Sequence, residues 1–374
     1  YCVMHAKRDR KHTLISKDDW SRAAKDSTPE AIIYIEFDHH SDAALLAQLE
    51  SELLDVIAEV HACVADFQAI SERAEECAAA LAKPAEKGRK ADYREAREFI
   101  LWLQANHFTF LACDEFHIEE DAGESYVVRD SDKDLGLFRH NKASRDRLKL
   151  TDLEDEVRDF ITDSSIVSFM KSGSRSRVHR PADPDYVVVK ILDKDGRVVR
   201  GVRFLGLYTS MVYIETPNNI PFVREKLNAV RAMADFTPGS HSAKELNRIL
   251  EVYPRDELFQ SSAEELVKTA VSILNIQERR QTRVYLRKDS YSKFISCLVY
   301  TPRDVYNTEM RLKIEAVLRE EFDTLDVEFN TYFSESVLAR AYYLLRLNPD
   351  SPVNFDEEKV KRRISQVVRS WPDD

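Results

Sequence analysis

The chain has 374 residues, 43% apolar and 32% charged, enough for two or three domains with sizeable cores under a heavily charged surface. Its formal net charge of −11 opposes broad nucleic-acid binding, which needs a basic footprint to displace phosphate counterions. No apolar run approaches the roughly 20 residues needed to span a bilayer, so no membrane partner is expected.

The start, Tyr1-Cys2-Val3-Met4-His5-Ala6, reads as a strand and shows neither a signal peptide nor a natural start, so the sequence reads as a piece of something longer. A polar turn leads from it to Leu14-Ile15. Branched and aromatic residues predict a buried strand over Ala31-Ile32-Ile33-Tyr34-Ile35-Glu36-Phe37. A helix follows, with Leu45, Leu49, Leu53, Val56, Ile57 and Val60 on one face. The stretch Lys83 to Lys90 reads as a polar linker, closing a first module over 1–83.

A second module, 90–235, opens with a helix through Ala96, Phe99, Ile100 and Leu103, followed by strands around Phe108-Thr109-Phe110-Leu111 and Ser125-Tyr126-Val127-Val128. Thr151-x-x-Glu154 reads as a capping box. Tyr186 to Leu192 and Val198 to Tyr208 form a hairpin across Asp193-Lys194-Asp195-Gly196. Helices fill most of 221–279, two with capping boxes at Ser242/Glu245 and Ser262/Glu265, and 236–280 reads as a helical connector. The third module, 281–374, runs β-β-α-β-β with a closing helix from Asp356 to Arg369. That order is satisfied by an antiparallel sheet covered on one face by helices. Val284 to Ile295 weakly echoes Val3 to Ile15, which suggests repeated modules.

Eight glycines occur, spaced as neither G-x-G-x-x-G nor G-x-x-x-x-G-K-[ST], so a nicotinamide cofactor has no recognisable seat in this segment. The five cysteines are scattered without a C-x-x-C pair, which favours reduced, buried thiols over disulfides or zinc. Asp38-His39-His40 lacks a fourth ligand and reads as a polar turn before a helix. Cys113 and His117 share a strand face as a structural pair. Ser240-His241 has no nucleophile elbow around it and reads as helix entry.

The one local basic patch is Lys171-Ser172-Gly173-Ser174-Arg175-Ser176-Arg177-Val178-His179-Arg180. It is either a cradle for a carboxylate or phosphate, or else a solvated loop or a contact to an acidic neighbouring domain, and the latter pair ranks first because charge clusters alone are unspecific. In Pro254-Arg255-Asp256-Glu257, Arg255 suits the last carbonyls of the preceding helix and Asp256 the cap of the next turn; a ligand site there is secondary. Pro302-Arg303-Asp304 repeats the Pro-Arg-Asp trio at a strand-to-helix junction. Arg175, Arg177, His179, Arg180, Arg255, Asp256 and Arg303 are thus the candidate effector or inter-domain residues. None is read as catalytic, cofactor-binding or metal-ligating.

Several longer phrases resemble one family when taken together: Asn106-His107-Phe108-Thr109-Phe110-Leu111, Ser176-Arg177-Val178-His179-Arg180-Pro181 with Pro184-Asp185-Tyr186, and Phe204-Leu205-Gly206-Leu207-Tyr208-Thr209-Ser210. Tyr253 to Gln260, Ile276-Gln277-Glu278-Arg279, Val299 to Asp304, Ser334 to Arg340 and Trp371-Pro372-Asp373-Asp374 complete the set. The chain resembles the N-terminal half of the large bacterial NAD-specific glutamate dehydrogenases. The resemblance implies two or three ACT-like (ferredoxin-like, βαββαβ-type) α+β modules joined by helical connectors, the first of them N-terminally incomplete. It implies a cytoplasmic homo-oligomer whose full polypeptide oxidises L-glutamate to 2-oxoglutarate and ammonium with NAD. The catalytic domain and its cofactor site would follow Asp374, and an amino-acid effector would act on the modules present here. A purely structural scaffold ranks second and an independent enzyme far behind. Ala112 stands where the family usually carries glycine.

Overall fold

The computed structural model describes residues 2–8, 14–19, 28–83, 88–140, 147–276, 279–289, 291–334, 336–349, 351 and 355–369. The polar turn at 9–13, the middle of the expected linker (84–87), Gln277, Glu278, Glu335 and the closing Trp371-Pro372-Asp373-Asp374 lie outside the described residues. The chain divides into two units, Tyr1–Asp55 and Val56–Asp374.

In the first unit, β1 (Cys2–Arg8) pairs antiparallel with both β2 (Leu14–Asp19) and β3 (Thr28–Ile32), giving the order β2-β1-β3. The strand expected at 31–37 therefore lies earlier. Cys2 pairs with Ile32, the ladder ends there, and Ile33, Tyr34, Ile35 and Phe37 are exposed. Branched and aromatic content marks a strand only where a partner supplies hydrogen bonds. The helix α1 (Ala43–Leu81) starts at Asp42, whose carboxylate accepts the Ala44 amide at 2.9 Å. Asp42, just beyond Asp38-His39-His40, is thus the cap.

The expected module boundary at 83 moves to 55. The later part of α1 buries Ile70, Ala74, Cys77, Ala78 and Leu81 in the core of the second unit. Asp66 accepts from the Gly136 amide at 2.7 Å and from the Arg139 guanidinium, fixing that half of the helix to the middle sheet.

The second unit continues with α2 (Lys90–Trp102), which buries Tyr93, Ala96, Phe99 and Ile100 at helical spacing. It ends where Asn106 takes a left-handed φ of 66°, a conformation asparagine tolerates. There follow β4 (Phe108–Asp121), β5 (Glu124–Arg129), β6 (Leu135–Gly136), β7 (Arg147–Lys149), α3 (Asp155–Thr162), β8 (Val167–Lys171), β9 (Asp185–Leu192) and β10 (Val198–Tyr208). These strands form one seven-stranded antiparallel sheet, ordered β7-β5-β4-β10-β9-β8, with β6 on β4. This module was expected to be ACT-like. Its sheet is wider than that plan, and its helices do not alternate with strands as βαββαβ.

Glycine is required on this sheet at Gly136. Its φ is +62°, and a Cβ there would stand 2.1 Å from Leu111 O. Gly136 pairs with Ala112, so the close approach is met by the glycine on the opposite strand and Ala112 is accommodated. Gly136→Ala is expected to lower stability by about 2 kcal/mol through overpacking and backbone strain, read as a fall in urea midpoint at unchanged slope.

Four helices follow α4 (Ser210–Ile214): α5 (Val223–Ala234), α6 (His241–Glu251), α7 (Arg255–Gln260) and α8 (Ala263–Ile276). The box at Ser262/Glu265 forms as expected, with Ser262 N donating to Glu265 Oε2 at 2.8 Å and Glu265 N to Ser262 Oγ at 3.1 Å. Ser240, not Ser242, caps α6 by accepting from Ala243 N at 3.2 Å. Thr151 does not cap α3; it lies in a short 3-10 turn, and the N-cap of α3 is Glu154 without a side-chain bond.

The last module comprises β11 (Arg283–Lys288), β12 (Phe294–Pro302), α9 (Thr308–Glu321), β13 (Thr324–Phe333), β14 (Leu338–Leu347) and α10 (Glu357–Arg369). Its sheet is antiparallel in the order β11-β12-β14-β13. Alternation along the strands divides two cores. Ile295, Cys297, Val299, Ala341, Tyr343 and Leu345 pack under α9 and α10. Phe294, Leu298, Tyr342 and Leu344 point to the other face and join the core shared by α2, the middle sheet and α5–α8. Both faces of this sheet are therefore covered, as its continuous apolar run suggests.

Candidate functional site

The phrases that carry the resemblance meet in space. Trp102 donates its indole N–H to Glu215 at 2.9 Å, and His107 stacks on Trp102 with its Nε2 3.1 Å from the same carboxylate. Thr209 donates to Asn106 O at 2.7 Å. Arg255 donates to Glu251 O at 2.9 Å, Tyr253 O at 3.1 Å and Glu215 O at 3.0 Å, so it caps the end of α6 as expected and ties that turn to the loop after α4. Arg340 donates to Val252 O and lies over the Tyr332 ring.

Glu257, in the first turn of α7, fastens the connector to the last sheet. Arg287 on β11 forks onto it at 2.7 and 2.8 Å, and Tyr342 on β14 donates at 3.1 Å. Burial works against the Glu257 carboxylate, but Arg287 outweighs it and holds the pKa below the usual range. On the other side of α7, Lys226 donates to Leu258 O, Phe259 O and Ser261 O at 2.7–3.0 Å, closing that helix's last carbonyls. Burial, helped by Arg287, brings the Lys226 pKa down to about 8.

The basic phrase 171–180 is the end of β8 and part of the loop to β9, folded back through Ser172 N to Pro184 O and Ser176 N to Ala182 O. Its cations are matched within the chain. Arg175 reaches Asp326 at 2.7 Å and Glu328 at 3.5 Å on β13, Arg177 reaches Glu59 on α1, and Arg180 donates to Tyr208 O at 2.9 Å. His179 is exposed at a left-handed φ of 69°. Arg175 bridges to the last module as an inter-module contact. Arg303 lies elsewhere, donating to Ser334 O and resting over Phe333.

Lys171 is buried between Asp185 at 3.2 Å and Asp256 at 3.3 Å, so Asp256 serves as an ion-pair partner rather than as the cap. Burial alone would depress the Lys171 pKa; the two carboxylates outweigh it and hold the ammonium protonated. Burial pushes Asp185 up to about 6, with Lys171 opposing and Asp256 adding.

Lys171, Arg180, Arg255 and Asp256 line one cleft of about 580 Å³, walled by the end of the middle sheet, the turn from α6 to α7, and β13 and β14. A larger cleft of about 820 Å³ lies between α8, β11 and α10, but the Glu257–Arg287 pair lines it and Lys361 is matched by Glu357 and Glu358. The smaller cleft instead carries buried polar atoms without partners: Asp183 Oδ1, Arg255 Nε and Arg340 Nε. Sequence reasoning missed Asp183, Asp185, Glu257, Arg287 and Arg340 as site residues. The available signal was a charge inside otherwise apolar strands, as in Leu338-Ala339-Arg340-Ala341-Tyr342. Among the described residues, no group of three or more His, Cys, Asp or Glu could hold a metal ion, Asp38-His39-His40 included. Cys63, Cys77, Cys113 and Cys297 are free and buried, and burial raises each thiol's pKa.

A four-stranded antiparallel sheet with helices on one face, preceded by a helical connector, defines an α+β protein of the ACT class. Comparison with known families agrees: the ACT1 domain of glutamate dehydrogenase matches residues 1–53, its helical motif 1 matches 220–279 and its ACT2 domain matches 283–372. Through these domains the chain belongs to the glutamate dehydrogenase family. It is similar to the NAD-specific glutamate dehydrogenases of Halomonas elongata (41% identical over 372 residues, 96% of this chain and 23% of the relative) and Pseudomonas aeruginosa (44% over 352 residues, 94% and 22%). The Mycobacterium tuberculosis protein of the same name is 27% identical over 358 residues, 92% of this chain and 21% of the relative. The chain thus spans between a fifth and a quarter of the length of the curated relatives it matches. The ACT domains stand at the two ends; none of the three family matches covers 54–219.

Proposed function

We propose that this chain is the regulatory and assembly region of a cytoplasmic NAD-dependent glutamate dehydrogenase, whose full polypeptide converts L-glutamate, NAD and water to 2-oxoglutarate, ammonium and NADH. In this reading the chemistry and the NAD site belong to a catalytic domain of the same polypeptide, beyond Asp374. The ACT2 sheet, the connector and the middle sheet shift against one another when an amino-acid effector binds, and that shift biases the catalytic domain. The observation that carries the reading is the cleft where ACT2 meets the middle module, rich in buried charge and holding polar groups without partners. No described helix is long and apolar enough to cross a membrane.

Assembly into a homo-oligomer has its own support. The edge strand β13 exposes Leu325, Phe329 and Phe333, and α1 exposes Ile57, Val64 and Phe67. The same surfaces favour the second reading, a scaffold without ligand sensing. The test uses the full-length polypeptide with saturating L-glutamate and NAD, followed by NADH absorbance with and without each common L-amino acid. Glutamate-dependent NADH whose rate responds to an amino acid is expected. No glutamate-dependent NADH would reject the enzyme context, and a rate indifferent to every amino acid would leave only the scaffold.

A further inference from the structure

The cleft of about 820 Å³ follows a strand edge. Every residue from Thr282 to Arg287 lines it, with α7 and α8 on one side and α10 on the other. β11 is an edge of the ACT2 sheet; among the described strands it pairs with β12 alone. Asp289 N donates to Phe294 O at 3.0 Å, one step past the end of that ladder, and the bond sets the alternation. Arg283, Tyr285 and Arg287 turn their backbone groups toward β12, whereas Val284 and Leu286 turn theirs to the open side. A row of outward N–H and C=O groups is a template for one more strand. The side chains around it are already held, Arg287 by Glu257 and the Tyr285 hydroxyl by Ser272 Oγ at 2.9 Å.

Charge along the cleft is uneven. Its four carboxylates are all engaged: Glu257 by Arg287, Glu265 by the Ser262 amide, and Glu357 and Glu358 by Lys361. Four cations of the same lining, Lys268, Arg283, Arg362 and Arg369, have no carboxylate partner among the described residues. Arg283 reaches only Gln281 Oε1 at 2.9 Å and the Thr282 carbonyl at 3.4 Å; the other three are exposed. Single exposed cations are ordinarily just solvated. These four stand on β11 and on both walls beside it, in a chain whose formal net charge is −11.

An extended peptide satisfies both features together. Its main chain pairs with Val284 and Leu286. Its side chains leave alternately to the two faces, toward Lys268 and Arg283 on the α8 side and toward Arg362 and Arg369 on the α10 side. Carboxylates at those positions complete the charge. A second ACT2 sheet fits less well, because it would bring its own α8 and α10 and set helix against helix before two edges met. We propose that the β11 edge docks an acidic, extended segment of a separate protein, which adds a fifth strand to the ACT2 sheet between α8 and α10. Six residues, about 20 Å at about 3.3 Å each, match the stretch from Thr282 to Arg287.

The test is fluorescence anisotropy of the full-length polypeptide with a labelled hexapeptide, two valines flanked on each side by two glutamates. Saturable binding that weakens as salt is added is expected, because the cations are exposed and screened. The same peptide with lysine for glutamate should not bind. N-methylation of its amides should weaken binding roughly tenfold or more, because strand addition needs main-chain donors. The double variant Lys268→Glu with Arg362→Glu should weaken it by a similar factor at an unchanged thermal midpoint, since neither side chain has a partner in the fold. No binding of the acidic peptide, or binding unchanged in the double variant, overturns the proposal. Equal binding of the N-methylated peptide would leave a plain polyanion patch and also overturns it. So would a change of sedimenting mass in the double variant, which would make this edge an interface between copies.

Discussion

Replacing Glu257 with alanine is expected to cost about 3–5 kcal/mol, among the largest losses available to a single substitution in this chain. Removing one partner of a buried ion pair leaves the other charge without compensation, and that range is typical of such a break. The stranded group here is Arg287, whose side chain is 15% exposed and whose Nε and Nη2 both donate to Glu257. The Tyr342 hydroxyl loses its acceptor in the same step. Arg287→Ala should cost a similar amount, because the Glu257 carboxylate is then buried without its main donor. The double variant should lose less than the sum of the two, by a coupling of roughly 1–3 kcal/mol, because once one charge has gone the other no longer matters as much. Urea unfolding of the four proteins measures this cycle. Strict additivity would show that the two groups do not act as a pair and that the connector is held to ACT2 by apolar packing alone.

Lys171→Met should produce a loss of comparable size that depends on pH. The variant leaves Asp185 and Asp256 facing one another without the ammonium that lies 3.2 and 3.3 Å from them. Without Lys171, which lowers the Asp185 pKa, Asp185 keeps its proton to higher pH than in the unmodified protein, so the cost should grow with pH toward about 3–5 kcal/mol once its proton is lost. At pH 5 Asp185 takes a proton and the cost should shrink by at least half. In the unmodified protein Asp185 titrates near 6, above its ordinary value of 3.8, because burial disfavours its charge. The native state then holds a proton that the unfolded chain has released, so this group's contribution is greatest below about pH 4 and is lost as pH rises through about 6. Asp185→Asn should remove that slope. Unfolding midpoints for Lys171→Met that fall equally at pH 5 and pH 8 would contradict the account.

Both predictions concern residues from phrases that already stood out in the chain. Glu257 sits in Tyr253 to Gln260 and Asp185 in Pro184-Asp185-Tyr186. Local physical chemistry explains why their elements were legible. The apolar spacing of Ala96, Phe99 and Ile100 makes α2, the Ser262/Glu265 box opens α8, and the alternating strands on either side of Asp193-Lys194-Asp195-Gly196 make a hairpin. The order β-β-α-β-β defines the last sheet for the same reason, since each step depends on neighbours a few residues apart.

What the amino-acid order by itself determined was the class of protein, the ACT2 topology and the structural use of Arg255 on the last carbonyls of α6. What only the tertiary structure decided was partnership across distance. It moved the first boundary from 83 to 55 because α1 buries its second half in the middle module. It widened the middle sheet to seven strands, and it gave the basic loop a specific partner in the Arg175 bridge to Asp326. It also gathered Asp183, Lys171, Asp185, Asp256 and Arg340 around one cleft. Periodicity reports which way a side chain leaves its own element, whereas burial and charge compensation depend on what another element, often 80 or more residues away as for Arg340 and Val252, brings up against it.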